Sequence, residues 1–245
     1  RYGQSAMDYA EIAQAASAAG FLCRGGFHPG PEDGVPGAAA DGTETLIVLG
    51  NAGPAMWRAF SAAPSRARGR IPARITCGTP TGVRGLDRWT RATVSALARP
   101  MAARALFPFD RPFPPFQRWA AKAENLKASP LGILIHPEFG LWHAYRGALL
   151  FARKLALPPP LSRPRPCDTC AEKPCLAACP VEAFASGSYD VPKCVGHVAS
   201  SRGHECLEGG CLARRACPVG RDYAYAPDQA RFHMEAFLRA NRGKS

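Results

Sequence analysis

Four cysteines lie close together in residues 167–180, CDTCAEKPCLAACP, and a proline follows the last of them. Clustered thiols can form disulfides, bind zinc or bind an iron–sulfur cluster. Disulfide scaffolds are usually small and secreted, whereas this chain has 245 residues and no recognisable export signal in its first residues. We therefore expect reduced thiols, and with them a cytoplasmic protein.

Eight of the ten cysteines fall between residues 167 and 217 in two motifs, each of which ends in Cys-Pro. The motifs are Cys167, Cys170, Cys175 and Cys179, followed by Cys194, Cys206, Cys211 and Cys217. A zinc ribbon has two separated cysteine pairs with short gaps. In bacterial ferredoxins, three closely spaced cysteines bind one cubane, and the fourth cysteine of the motif binds the other cubane. The spacing favours two [4Fe-4S] clusters, and zinc is the alternative.

The ferredoxin pattern predicts two sets of four ligands. The first quartet is Cys167, Cys170, Cys175 and Cys217, and the second quartet is Cys179, Cys194, Cys206 and Cys211. The long gap after Cys194 is irregular, because His197 stands where a regular motif has a cysteine. Since thiolate is the usual cluster ligand, we expect Cys206 rather than His197 to bind.

The composition indicates a globular protein, with 47% hydrophobic and 20% charged residues. No apolar run is long enough to cross a membrane, so we expect no membrane association. The net charge of +12 is compatible with nucleic acid, an anionic ligand or an acidic protein partner. The arginines are scattered and form no recognised nucleic-acid motif, which makes a solvated basic surface the simpler interpretation.

Proline-rich residues 157–166, LPPPLSRPRP, predict a stiff linker between two domains. We expect an α/β domain over 1–156, where a cofactor or substrate would bind. A ferredoxin-like two-cluster module is expected over 167–222, and a C-terminal helix over 223–245.

Apolar periodicity predicts the main elements of these domains. Short apolar runs at 45–50 and 131–136 indicate strands, and the stripes at 85–97 and 228–240 indicate helices. The segment 140–156, GLWHAYRGALLFARKLA, is predicted to be a long amphipathic helix.

The order of the cysteines and the segment 109–150, which begins FDRPFPPFQRW, resemble epoxyqueuosine reductase and related cobalamin-dependent reductases. The resemblance implies a nitroreductase-like α/β domain joined to a two-cluster module. On this match, Asp110 falls where the family has a proton-donating Asp. Gly132 is what remains of the family's glycine-rich run, which implies a cofactor-binding segment there.

Two other features bear on the cofactor and on Asp110. His136, in HPEFGLWHAY, could line a flat cofactor pocket. The glycine-rich run is reduced to SPLGILI with no lysine after it, which argues against cobalamin and leaves flavin as another candidate. Asp110 lies beside prolines and phenylalanines, so its role is either that of an acid in an apolar setting or that of a turn-stabilising side chain.

Three functions stay open from the sequence. The first is a reductase that passes electrons through two clusters to a small-molecule substrate or a cofactor in the N-terminal domain. The second is a ferredoxin-like electron carrier with no substrate of its own, and the third is a tRNA-interacting protein with structural clusters. The family's helical-repeat tail is absent from this sequence, which argues against tRNA. A flavodoxin- or ferredoxin-type donor protein is the expected partner of either redox function.

Overall fold

The computed structural model describes residues 7–64, 81–185 and 187–241. The chain forms two compact units: the first comprises residues up to 125 and 144–162, and the second comprises 126–143 and 163 onward. None of the helices in these described ranges has both the length and the apolar character needed to cross a membrane.

The first unit contains most of the regular structure. Its helices are α1 (Tyr9–Ala18), α2 (Ala38–Asp41), α3 (Ala55–Ala62), α4 (Thr81–Ala98) and α5 (Phe116–Glu124). Its strands are β1 (Leu22–Phe27), β2 (Thr45–Ala52), β3 (Ala103–Leu106) and β6 (His143–Phe151), the last of which begins at the boundary between the units. The predicted strand at 45–50 and the predicted helix at 85–97 are confirmed as β2 and α4.

The four strands form one sheet in the order β1-β2-β6-β3. β1 pairs with β2 in antiparallel register, and β3 pairs with β6 in the same way. Every residue of the inner strand β2 is buried. Packed on this sheet, Trp119 of α5 is completely buried and donates a hydrogen bond from Nε1 to the carbonyl of Asp33 at 2.8 Å.

The predicted helix at 140–156 is wrong, because residues 143–151 form strand β6. β6 lies between β2 and β3, and Gly147–Phe151 are all buried. A strand that is buried on both faces is apolar without alternation, so its hydrophobic run cannot be distinguished from a helix by periodicity.

The second unit is built from short elements. They are β4 (Lys127–Ala128), β5 (Leu134–Ile135), α6 (Pro174–Ala177), α7 (Val191–Ala199), α8 (His204–Gly209), α9 (Leu212–Arg215) and α10 (Pro227–Ala240). The predicted strand at 131–136 is reduced to the two residues of β5, which pair with β4. The predicted C-terminal helix is confirmed as α10.

The sequence assigned 126–143 to the N-terminal domain, whereas in the structure this segment packs with the cysteine-rich region. Leu131, Ile135 and Leu141 share a buried core with Cys175 and Cys217. Both α-helices and an antiparallel sheet are present, so the prediction of a mixed α/β protein is confirmed. The nitroreductase-like and ferredoxin-like descriptions of its two parts stay predictions.

Candidate metal centres

The first quartet surrounds a cavity of about 250 Å³ in the second unit, which we call the first cavity. Its cysteines are Cys167, Cys170, Cys175 and Cys217. The rest of the lining is largely apolar and includes Ile135, Leu141 and Val219. Cysteines that lie up to 50 positions apart in the chain therefore share one site.

Tight turns hold the first quartet in place. A turn of 3₁₀-helix over Pro166–Asp168 carries Cys167, and Lys173 adopts a left-handed conformation (φ 42°) just before α6, which carries Cys175. Cys217 follows α9, and the backbone after it lies against Gly140, where a Cβ would be 2.0 Å from the carbonyl oxygen of Val219. Only glycine allows so close an approach, so Gly140 helps to fix the segment that bears Cys217.

The second quartet surrounds a separate cavity of about 300 Å³, the second cavity. Its cysteines are Cys179, Cys194, Cys206 and Cys211. α7 contributes Cys194 and α8 contributes Cys206, while Cys211 directly precedes α9. The structure thus brings together the two sets that the spacing predicted, including the exchange of the fourth cysteine between the motifs.

In each quartet, burial and repulsion from neighbouring thiols raise the pKa of three cysteines. Burial raises the pKa of Cys175, and the neighbouring Cys217 and Cys167 raise it further. In the second quartet, burial raises the pKa of Cys206, and nearby Cys179 adds to the shift. Metal ligation requires thiolates, so metal binding at either quartet would release protons.

Several donors point at the sulfur atoms. The amide of Ala183 donates to Sγ of Cys179 at 3.3 Å. The amide of Leu212 partly offsets the rise in the pKa of Cys206, and the amide of Val219 does the same for the pKa of Cys217. Such bonds stabilise negative charge on sulfur, as the ligands of a metal cluster require.

Cationic side chains lie near both quartets. The positive charge of Arg165 limits the rise in the pKa of Cys167, and Lys173 lines the first cavity. Arg214 lines the second cavity and lies 4.5 Å from the ring centres of both Trp142 and Tyr225. Its Nε donates to the carbonyl of Leu141 at 2.8 Å, so the guanidinium is held firmly at the wall of the cavity.

His197 and Cys206 both line the second cavity, so either side chain could contact a group bound there. Across the described ranges, no group of three or more His, Cys, Asp or Glu side chains converges closely enough to hold a single metal ion.

The remaining cysteines are Cys23 and Cys77. Cys23 lies on β1 in the first unit, where burial raises its pKa to about 12, and Cys77 falls outside the described residues.

Asp110 lies in the first unit, in the turn after β3. Its carboxylate forms an ion pair with Arg91 and accepts a hydrogen bond from the amide of Phe107 at 2.9 Å. The guanidinium of Arg91 lies over the rings of Phe107 and Phe109. Both carboxylate oxygens thus have local partners that stabilise the turn.

Gly132 and His136 lie in the second unit. Gly132 occupies the left-handed region (φ 78°) in the exposed turn between β4 and β5. His136 is 5% exposed, stacks on Phe139 at 4.1 Å, and accepts hydrogen bonds at Nδ1 from the amides of Glu138 and Phe139. The ring of His136 therefore fixes the loop that follows it.

Sequence reasoning missed two polar side chains of the second cavity, Arg214 and Tyr189. Tyr189 lines this cavity together with Cys194. Its position five residues before Cys194 has no meaning in the ferredoxin spacing rule. Arg214, in contrast, lies between Cys211 and Cys217, and this placement between two predicted ligands was an available signal.

No protein-family model and no curated protein matches the chain. Several solved structures of epoxyqueuosine reductase are similar to it, and each of the three that follow is matched by 90% of this chain. The crystal structure of the selenomethionine-labelled enzyme has a TM-score of 0.51 at 13% identity, with 68% of that chain covered. The crystal structure with an epoxyqueuosine-modified tRNA-Tyr stem loop has a TM-score of 0.51 at 14% identity, with 69% covered. The enzyme from Streptococcus thermophilus has a TM-score of 0.49 at 14% identity, with 69% covered. The chain thus has a mixed α/β fold similar to that of epoxyqueuosine reductase.

Proposed function

We propose that this protein is an iron–sulfur reductase in which each cysteine quartet binds one [4Fe-4S] cluster. The observation that carries the proposal is the division of eight cysteines into two quartets, one around each cavity. Four thiolates around a cavity of this size match the ligand set of a cubane, and the cysteine order matches that of two-cluster ferredoxins. The fold similarity to epoxyqueuosine reductase adds support for an oxidoreductase.

A cubane bound by each quartet would accept and donate one electron. The chain's own residues would hold the cluster and influence its charge. The thiolates would bind iron, the apolar walls formed by residues such as Ile135 and Leu141 would limit water, and the amides of Ala183 and Val219 would stabilise charge on sulfur.

We further propose that electrons enter from a flavodoxin- or ferredoxin-type donor and reach a substrate or cofactor bound within residues 1–156. Asp110 is the proposed proton donor of that step. To act so, its carboxylate must exchange the partners Arg91 and Phe107 for the reacting group. Cobalamin and flavin are the cofactors to test, and Gly132 and His136 are proposed to contribute to their binding segment.

Serine variants of one cysteine from each quartet test the cluster assignment. Cys175→Ser removes a thiol from the first quartet, Cys211→Ser removes one from the second, and Cys23→Ser, in the first unit, is the matched control. After anaerobic purification, we expect about eight irons per chain in the parent protein and in the control, and about four in each quartet variant. Iron and acid-labile sulfide are counted in all four proteins.

Two results would change the proposal. Zinc in place of iron and sulfide would refute the cluster assignment. Eight irons without any binding of cobalamin or flavin to the loaded protein would refute the cofactor step and favour an electron carrier. A change in electron-transfer activity alone would not distinguish these outcomes, so metal content is measured first.

A further inference from the structure

Two exposed apolar side chains lie at the second cavity. In the part of the chain that the structure describes, the exposed large apolar side chains are Phe113, Ile133 and Tyr189. Ile133 is 41% exposed and Tyr189 is 40% exposed, yet both line the cavity that the second quartet surrounds. Exposed apolar side chains that occur singly are ordinary, whereas a group of them at one opening indicates a contact site. We call Ile133 and Tyr189 the apolar rim.

Both side chains of the apolar rim stand on fixed structure. The ring of Tyr189 stacks 4.8 Å from that of Phe184 at an angle of 13°, and 6.3 Å from that of Phe237 at 24°. Ile133 lies in the turn between β4 and β5, where its carbonyl accepts a hydrogen bond from the amide of Ser129 at 2.7 Å. A surface that is already ordered loses little conformational entropy when a partner binds.

The surroundings of the apolar rim are basic. Among the described residues that line the second cavity, Arg214 and His197 are basic, and there is no Asp or Glu. Exposed Lys127 belongs to β4, and exposed Lys193 belongs to α7. The net charge of the whole chain is +12. Positive charge around an apolar contact attracts an acidic partner and accelerates its association.

The first cavity has a different opening. Lys173 and Pro218 are exposed there, and none of its described lining residues is a large apolar side chain that is exposed. Within the described ranges, a partner protein would therefore find exposed apolar contacts beside the second quartet and not beside the first.

We propose that the apolar rim is the docking surface for a small acidic one-electron donor protein of the flavodoxin type, and that electrons enter through the second quartet's cluster. The inference rests on the proposed function, because it requires a cluster at that quartet. In each encounter the donor is oxidised by one electron and the cluster is reduced by one electron, with no bond formed or broken. A small apolar contact with basic surroundings suits the small, transient interfaces of electron-transfer proteins.

The test compares Ile133→Glu with Ile133→Lys, which remove the same apolar side chain and introduce opposite charges. Both variants are purified anaerobically as full chains, and their iron is counted. Each is then mixed with a reduced acidic flavodoxin in a stopped-flow instrument, and the flavin absorbance gives the rate of electron transfer. We expect a rate at least about tenfold lower in Ile133→Glu than in the parent protein, and a rate within about threefold of the parent in Ile133→Lys. Added salt should reduce this difference.

Two controls separate docking from other effects. Phe113→Glu makes the same change of charge at an exposed apolar position of the first unit, so its flavodoxin rate should stay within about twofold of the parent. Dithionite is a small reductant that needs no protein docking surface. Its rate of cluster reduction should therefore be the same in the parent and in all three variants.

Several results would overturn the inference. They are an unchanged flavodoxin rate in Ile133→Glu, equal slowing in Ile133→Lys or Phe113→Glu, and equal slowing with dithionite. If Ile133→Glu loses iron, Lys193→Glu places a carboxylate at an exposed position next to the quartet, and an unchanged flavodoxin rate in that variant would also overturn the inference. Absence of clusters from the parent protein would instead refute the proposed function.

Discussion

The two units of this protein are stabilised by different kinds of core. The first unit has a sheet whose buried face packs large apolar side chains, among them Leu46, Phe116 and Trp119. The second unit has helices of four to fourteen residues and two-residue strands, and its buried core includes Cys175, Cys179 and Cys217. Four-residue helices such as α6 and α9 are far too short to be stable by themselves.

This difference indicates that the two units depend on different forces. Burial of apolar surface can stabilise the first unit without any bound group. The second unit places thiols where a metal-free domain would place aliphatic side chains, so metal binding and folding should be coupled there. The following predictions test this contrast, beginning with the largest expected effect.

Removal of iron should destabilise the second unit selectively. Structural metal sites contribute on the order of 10 kcal/mol to folding. After anaerobic chelation, we expect loss of amide hydrogen-exchange protection in α6, α8 and α9, while β2 and β6 keep theirs. Equal loss in both units would contradict the expected difference between them, and unchanged protection in the second unit would show that its core is stable without metal.

Substitution of a buried ion pair should destabilise the first unit whether or not iron is bound. Arg24 donates from Nε to Glu124 at 2.7 Å, and both side chains are at least nine-tenths buried. Arg24→Ala leaves a buried carboxylate without its charge partner, which should lower the free energy of unfolding by about 3–5 kcal/mol. Tryptophan fluorescence during denaturation reports this loss, because three of the four tryptophans lie in the first unit.

Arg104→Ala is the control for that variant. Arg104 pairs with Asp41 at a partly exposed site of the same unit. Exposed pairs contribute about 1 kcal/mol or less, so the unfolding midpoint should change little. If the two arginine variants had equal effects, burial would not be the reason for the importance of Arg24.

The smallest expected effects come from two glycines of the second unit. Gly132 has a φ of 78° and open space around its Cβ position, so Gly132→Ala should cost about 1 kcal/mol through backbone conformation alone. Gly196 lies within α7 with no atom near its Cβ position, and Gly196→Ala should stabilise the helix by up to about 1 kcal/mol. The midpoint of thermal unfolding of the loaded protein, measured for both variants, should shift in opposite directions.

The spacing of the cysteines predicted which four line each cavity, and the binding of a cluster by each set stays a prediction. Strand β6 could not be predicted, because its apolar run forms a strand through pairing with β3, which is distant in the chain. For the same reason, the packing of 126–143 with the cysteines could not be predicted from the sequence. The position of Tyr189 at the second cavity depends on tertiary packing, which no spacing rule encodes.

The most direct test of the central claim is native mass spectrometry of the anaerobically purified full chain. If each quartet binds a cubane, the protein should carry the added mass of two [4Fe-4S] clusters, and Cys23→Ser should carry the same mass. A mass corresponding to zinc ions, or to the chain alone after reconstitution with iron and sulfide, would contradict the assignment of both quartets.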